Sequence, residues 1–484
     1  MSDANLQFMP EDTPSILRTI VEQRQIRLSE LQQQLPEAEA HRLATASTRP
    51  VRDFHAALAQ GNTQFILECK KASPSKGVIR ADFDPVAIAR IYQSYAAAIS
   101  VLTEPDFFHG DFSYLQAVSQ QVHCPVLCKD FIFSTYQVAL ARYYGADAIL
   151  LMLSVLDDAT YQELATYAES LGLHILTEVS DSNEMQRANT LGAKIIGINH
   201  RNLRDMSMDL NRSQELAPQA HSNALIIAES GIENHQQVRA IAPHVDAFLV
   251  GGSLTAEADI DLACRELIYG TNKVCGITCI EHAFAARDAG ASALGLIFAQ
   301  RSPRRVTLAE AQTISQVRHV RYTAVISAND YDDSAAMNAA VVALCQQLPL
   351  HAVQVHDLAL EQTDAIAELK RALPAHIRLH LAVRGDLATT MSTLNAMVMS
   401  PNSAVDRYLV DNGQGGSGQA FDWSTLTPEV AGKVILAGGL NLDNLCAALA
   451  HQCYALDLNS GFERAPGRKD PALLHQAFQL IRSY

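Results

Sequence analysis

FILECKKASPSKG (residues 65–77) begins as an apolar run and ends in charges. Side chains alternate along a strand, so Glu68 and Lys70 share a face with Ile66. The stretch reads as a strand that is apolar along its length and charged at its C-terminal tip. The same rhythm returns in ISVLTE (99–104), PVLCKD (125–130), AILLML (148–153), HILTEV (174–179), KIIGIN (194–199), LIIAES (225–230) and AFLVGG (247–252). Helix-like stretches such as DPVAIARIYQSYA and DDATYQELATYAESLG lie between these runs, and Gly145 and Gly172 stand where two such helices end. Alternating strands and helices argue for a parallel sheet with helices outside it. Nearly unbroken apolar strands mean that both sheet faces are covered. Eight such units in about 200 residues fit a closed (β/α)8 barrel better than a doubly wound open sheet.

The rhythm then starts again with KVCGIT (273–278), ALGLIF (293–298), RYTAVI (321–326), AVQVHD (352–357), IRLHLAV (377–383), RYLVDN (407–412), KVILAGG (433–439) and ALDLNS (455–460). The fold class expected is therefore α/β, as two tandem barrels. Gly270 breaks the pattern, which puts a boundary near Tyr269–Asn272 and domains at 1–270 and 271–484. No Pro-rich or Ser-rich linker separates them, so they are expected to touch rather than swing freely. Upstream of the first barrel, Ile16, Leu17, Ile20, Val21, Leu28 and Leu31 recur at helical spacing, with a start expected at Asp12 or Thr13 before Pro14.

Composition narrows the classes. Of 484 residues 48% are apolar and 18% charged, which fits packed domains and excludes a disordered chain. The formal net charge of −15 makes nucleic acid or an anionic membrane a poor non-specific partner. No run is long and apolar enough to span a bilayer, and the first residues lack the pattern of a secretory signal. Nine scattered cysteines suggest a reducing, cytoplasmic setting without a disulfide framework. Cys124-xxx-Cys128 and Cys275-xxx-Cys279 lack the spacing and partner ligands of a zinc site, so no metal is expected.

In a barrel of this class the active site lies at the C-terminal strand ends. There the first set carries Glu68 and Lys70, Lys129, Glu178, Asn199 and Arg201, Glu229 and Ser230. Crowded acids and bases shift one another's pKa values, which lets a Lys donate and a Glu accept a proton near neutrality. Gly231, Gly251 and Gly252 follow strands seven and eight, where backbone N–H groups commonly hold a phosphate. The second set repeats that pattern with Gly438 and Gly439, then Asn459 and Ser460. Its chemistry differs, because Cys275 ends its first strand and Asp411 its sixth, just before NGQGGSG (412–418), while Arg304 follows its second. A thiolate and a carboxyl group across a barrel mouth form a base and acid pair, and the arginine can neutralise a carboxylate. Both halves thus read as cofactor-free proton chemistry on phosphorylated small molecules.

At these residues the first half resembles the indole-3-glycerol phosphate synthases, through FILECKKASPSKG, PVLCKDF (125–131), LTEV (176–179), GINHRNL (197–203) and ESGI (229–232). The second half resembles the phosphoribosylanthranilate isomerases, through KVCGIT, GLIFAQRSPR (295–304), LVDNGQGGSG (409–418) and ILAGGL (435–440). The resemblance implies two consecutive steps of tryptophan biosynthesis, with Asp411 as acid and Cys275 as base of an Amadori rearrangement and Arg304 on the anthranilate carboxylate. It implies Lys129 as general acid and Glu178 as general base of ring closure and dehydration. Lys70 would assist, Glu68, Asn199, Arg201, Glu229 and Ser230 would bind substrate, and an N-terminal helix would cover the mouth. The second half departs from its pattern at Asp357, where the family carries Gly, at Ala324 within the third strand, and at Leu381, where a Lys is common. A second reading keeps only the first half catalytic and makes the other a binding or structural module. A monomer is expected, since fusion can supply the interface that separate barrels gain by pairing.

Overall fold

The computed structural model describes residues 6–384, 388–400, 403–411, 423 and 426–484. The opening stretch forms β1 (Gln64–Cys69), and all six of its residues are buried. Seven further strands follow: β2 (Ala98–Leu102), β3 (Val126–Lys129), β4 (Ala148–Met152), β5 (His174–Val179), β6 (Ile195–Asn199), β7 (Leu225–Glu229) and β8 (Ala247–Val250). Each pairs in parallel with its neighbours, and β1 pairs with both β2 and β8, so the sheet closes. The second unit repeats the plan with β9 (Lys273–Cys275), β10 (Ala293–Ile297), β11 (Arg321–Ser327), β12 (Leu350–His356), β13 (Arg378–Arg384), β14 (Arg407–Asp411), β15 (Val434–Leu436) and β16 (Ala455–Leu458). It closes through β9 and β16. Two closed barrels in tandem are what the two sets of eight apolar runs predict.

Pleating sorts the second core. Val274, Leu294, Ala324, Val353, Leu379, Tyr408, Val434 and Leu456, one from each strand, belong to one large apolar cluster with helix residues such as Leu474 and Phe478. Cys275, Ile297 and Val325 form a separate small cluster. Val274 and Cys275 are sequence neighbours, so period-two alternation puts them on opposite sheet faces.

Most strands end before the quoted runs do, although β5 matches its run and β11 and β13 extend one residue past theirs. β9 ends at Cys275 because Gly276 takes a φ of +71°, and β15 ends before Gly438 and Gly439, at +88° and +65°. Those left-handed turns carry the chain out of the ladder and into the mouth loops.

The N-terminal segment forms α1 (Ser15–Gln34) and α2 (Glu37–Ala46). Leu17, Ile20, Val21 and Leu28 are buried as the spacing predicts, and so is Arg24. No side chain caps α1; Pro14 holds the N-cap position, and the Thr13 hydroxyl donates instead to the Ser154 carbonyl oxygen at 3.0 Å.

By contacts the chain divides into residues up to Cys264, with Tyr484, and Arg265–Ser483. The division falls inside the helix Ile260–Tyr269. From Arg265 onward that helix is held by the second unit: Arg265 donates to the His319 carbonyl oxygen, and Glu266 pairs with Arg321 at 2.5 Å. Among the described residues no helix is long and apolar enough to cross a membrane.

Candidate active sites

The first barrel's mouth holds a cavity of about 210 Å3, and every site residue expected of that half lines it. β1 brings Glu68 and the residue after its end brings Lys70; β3 brings Lys129; β5 and β6 bring Glu178 and Asn199; β7 brings Glu229, followed by Ser230. Arg201, Gly231, Gly251 and Gly252 complete the set from the loops. Lys129 Nζ is the hub, at 3.0 Å from Glu229 and 3.9 Å from both Glu68 and Glu178. Lys70 Nζ lies 3.1 Å from Glu68 and 5.4 Å from the centre of the Phe108 ring. Asn199 donates to Glu178 Oε1 at 2.9 Å and accepts from the Arg201 backbone N–H.

Burial opposes charge on Lys129, yet Glu229, Glu68 and Glu178 together hold its ammonium well above the ordinary lysine value. Burial would likewise raise Glu68, but Lys70 and Lys129 and hydrogen bonds from Lys70 and Ser100 hold it below the usual carboxylate value. Glu229 goes the other way. Burial pushes it up to about 7 against the pull of Lys129, and Glu178 adds like-charge repulsion. Its Oε1 is buried without a hydrogen-bond partner. A glycine explains how it fits, since a Cβ at Gly197 would stand 2.0 Å from that oxygen.

α1 supplies Ile16, Leu17 and Ile20 to the same cavity. Arg24 of that helix, 1% exposed, grips Asp130 in a two-bond pair of 3.0 and 2.5 Å, and the Thr103 hydroxyl donates to the same carboxylate at 2.6 Å. Asp130 directly follows Lys129, so one ion pair ties the helix to the strand tip that bears the hub lysine.

The second mouth holds a larger cavity, about 780 Å3, lined by Cys275, Arg304, Asp411, Gly438, Gly439, Asn459 and Ser460. The NGQGGSG loop lies outside the described residues. Cys275 is 3% exposed, and a Cβ on Gly295 of the neighbouring strand would come within 2.5 Å of its Sγ. Burial pushes the thiol up to about 11; Lys273 pulls it down and Asp457 pushes it up. Arg304 is bound to Glu463, with Nε at 3.1 and 3.0 Å from its two oxygens and Nη2 at 2.8 Å. Asp357, the departure from glycine, has a φ of +61° and accepts from the Ser327 hydroxyl at 2.5 Å. Aspartate is among the few residues other than glycine that enter that left-handed conformation at modest cost.

Several polar groups in the second barrel take roles that sequence pattern alone does not assign, although alternation does place Lys273 on the face of Cys275. Lys273 pairs with Asp457 at 2.9 Å and donates to Gln354 at 2.5 Å, forming a buried network beside Cys275. Its signal was a charge inside the apolar run ALDLNS. Glu463 and Lys469 carry no sequence signal of their contacts, and no spacing rule connects Arg24 with Asp130.

Two closed parallel barrels, each with ionisable groups and glycine turns at its C-terminal rim, define a tandem (β/α)8 enzyme. Residues 17–267 match the model of the indole-3-glycerol phosphate synthase family, and residues 272–480 that of the N-(5'-phosphoribosyl)anthranilate isomerase family. Over 473 residues the chain is 46% identical to a tryptophan biosynthesis protein TrpCF of Salmonella typhi, covering 97% of this chain and 100% of the relative. With the Yersinia pestis protein of the same name it shares 45% over 474 residues, 98% and 96% of the two chains. A solved phosphoribosyl anthranilate isomerase from Thermus thermophilus, 28% identical, covers 43% of this chain and 96% of its own, with a TM-score of 0.35. The chain belongs to the fused indole-3-glycerol phosphate synthase and phosphoribosylanthranilate isomerase family of tryptophan biosynthesis. It is a bifunctional enzyme, and the reading with a non-catalytic second half finds no support.

Proposed function

We propose that residues 271–484 rearrange N-(5-phosphoribosyl)anthranilate and that residues 1–270 convert the product to indole-3-glycerol phosphate, with the following division of labour. In the second barrel Asp411 protonates the furanose ring oxygen, and the ring opens to a Schiff base. Cys275 then removes the proton from C2, which leads to 1-(2-carboxyphenylamino)-1-deoxyribulose 5-phosphate. Arg304 binds the anthranilate carboxylate, and Gly438, Gly439, Asn459 and Ser460 receive the phosphate.

In the first barrel Lys129 enters as an acid, since three glutamates keep it protonated. It protonates the ketone oxygen as the aromatic ring closes on that carbon, and loss of CO2 restores aromaticity. Glu178, oriented by Asn199, takes the proton in the final loss of water. Lys70 faces the substrate's anionic groups and assists Lys129, while Glu68, Arg201, Glu229 and Ser230 hold substrate and balance charge. Gly231, Gly251 and Gly252 take the phosphate. Ring closure is intramolecular, so positioning supplies a large part of the rate enhancement.

The observation that carries this reading is the meeting of Lys129, Glu178 and Glu229 in one cavity and of Cys275, Asp411 and Arg304 in another. The partners proposed are phosphorylated small molecules and not nucleic acid, the chain acts as a monomer, and it works in the cytoplasm. The test assays both reactions in Lys129→Ala and Cys275→Ala. Each variant should lose one activity by about 10²-fold or more, the scale of general acid–base catalysis, and keep the other. Isomerisation unchanged in Cys275→Ala would overturn the second assignment, and synthase activity unchanged in Lys129→Ala the first.

A further inference from the structure

Behind the wall of the second cavity lies an ion pair that faces no substrate. Glu463 and Lys469 belong to a short antiparallel hairpin, Glu463–Ala465 with Arg468–Lys469, that follows β16. Their side chains are 3% and 0% exposed, and neither lines the cavity. Lys469 Nζ donates to Glu463 Oε1 at 2.8 Å, to Asn459 Oδ1 at 2.9 Å and to the Asn459 carbonyl oxygen at 3.2 Å. Glu463 in turn holds Arg304. The hairpin therefore grips two residues that do line the cavity, Arg304 and Asn459.

We propose that the Glu463–Lys469 pair is a positioning device that makes Arg304 a selective receptor for the substrate's ring carboxylate, while fixing Asn459 at the phosphate turn. This rests on the reading of Arg304 given above. A guanidinium offers five N–H donors in a rigid plane, with two edges that each fit a carboxylate. Glu463 occupies the edge made by Nε and Nη2. Among the described residues no hydrogen bond falls on Nη1, so the Nη1–Nη2 edge remains for a second carboxylate. The choice of edge separates a positioning role from simple neutralisation, which would serve equally well from either side.

Charge supports the same conclusion. Burial disfavours a charged Glu463, but hydrogen bonds from Arg304 and Lys469 and the charges of both hold its carboxyl below the ordinary value, so it is an anion at working pH. Burial works against charge on Lys469 and Glu463 works for it, so the one carboxylate serves both Lys469 and Arg304 and does not by itself cancel the guanidinium. Without Glu463 the fork would lose its anchor and two cations would be left without their shared anion. Gly276, next to Cys275, lets these groups converge, since a Cβ there would meet Arg304 Cδ at 2.7 Å and Asn459 Oδ1 at 2.9 Å.

The experiment compares two competitive inhibitors of the isomerase reaction in the full-length enzyme. One is the reduced product analogue carrying the ring carboxylate, and the other is the same molecule without it. The readout is the ratio of their inhibition constants within each variant, so a partly unfolded sample does not distort it. Glu463→Gln should cut the preference for the carboxylated analogue by about tenfold, raise KM and leave kcat within about threefold. Glu463→Asp keeps the charges but shortens the reach; it should give a partial loss, and it carries the test if the Gln variant does not fold. Native preference retained in both variants overturns the proposal, as does a fall in kcat with the ratio unmoved. Arg304→Ala should abolish the preference; if it does not, the reading of Arg304 itself fails, whatever Glu463 does.

Discussion

Cys275 and Glu229 show how one physical cause gives different chemistry at two mouths. Both are buried, and burial raises both pKa values because it disfavours the anion. For Glu229 the result is a carboxyl near neutrality, able to share a proton with its surroundings. For Cys275 the result is a thiol at about 11, so at pH 8 only about one molecule in a thousand carries the thiolate that a base requires. The isomerase kcat/KM should therefore climb with pH through the range 7–9. Lys273→Met, which removes the cation that favours the thiolate, should move that limb to higher pH and lower the rate at pH 8. A profile flat from pH 7 to 10 would exclude thiolate formation in the free enzyme as the controlling ionisation. At this scale the sequence disclosed which residues face the mouth, since alternation and strand-end position put Lys129, Glu178 and Cys275 there. It did not disclose the room they need. Gly197 and Gly295 look like ordinary strand residues in the sequence, and only the three-dimensional approach of Glu229 and Cys275 shows that a side chain at either position would displace one of those groups.

Among the elements, α1 behaves as part of the first active site. Its apolar stripe was legible from spacing, and Ile16, Leu17 and Ile20 reach the cavity. The charged residue in the middle of that stripe was not, because Arg24 finds its partner 106 residues away. Breaking one side of a buried ion pair leaves an uncompensated charge in a poor solvent, at a cost of about 3–5 kcal/mol. Arg24→Ala should destabilise the first unit by roughly that amount in denaturant titration and raise the synthase KM. A loss under about 1 kcal/mol would mean that Asp130 is satisfied without the helix. The strand ends give a second lesson. The quoted runs overshot into Gly276 and Gly438 because an apolar or small residue after a strand looks like more strand. Positive φ, which sequence does not display, is what ends the ladder.

For the molecule as a whole, period and spacing were sufficient to find both barrels, because most strands are buried on both faces and so repeat as nearly unbroken apolar runs. Closure needed the structure: a row of eight strands looks the same in sequence whether or not its ends meet. Closed sheets expose no unpaired edge for another copy to extend, and a net charge of −15 sets copies against one another. Light scattering should accordingly return the mass of one chain, 52.7 kDa, at micromolar concentration. Twice that mass would overturn the monomer.

Each ring of strands is built from one contiguous segment, and no strand is lent to the other. Cutting the polypeptide near Gly270 would therefore sever no backbone ladder. Two shorter genes could encode the two rings separately, and joining or parting them over evolutionary time would exchange no strand between them.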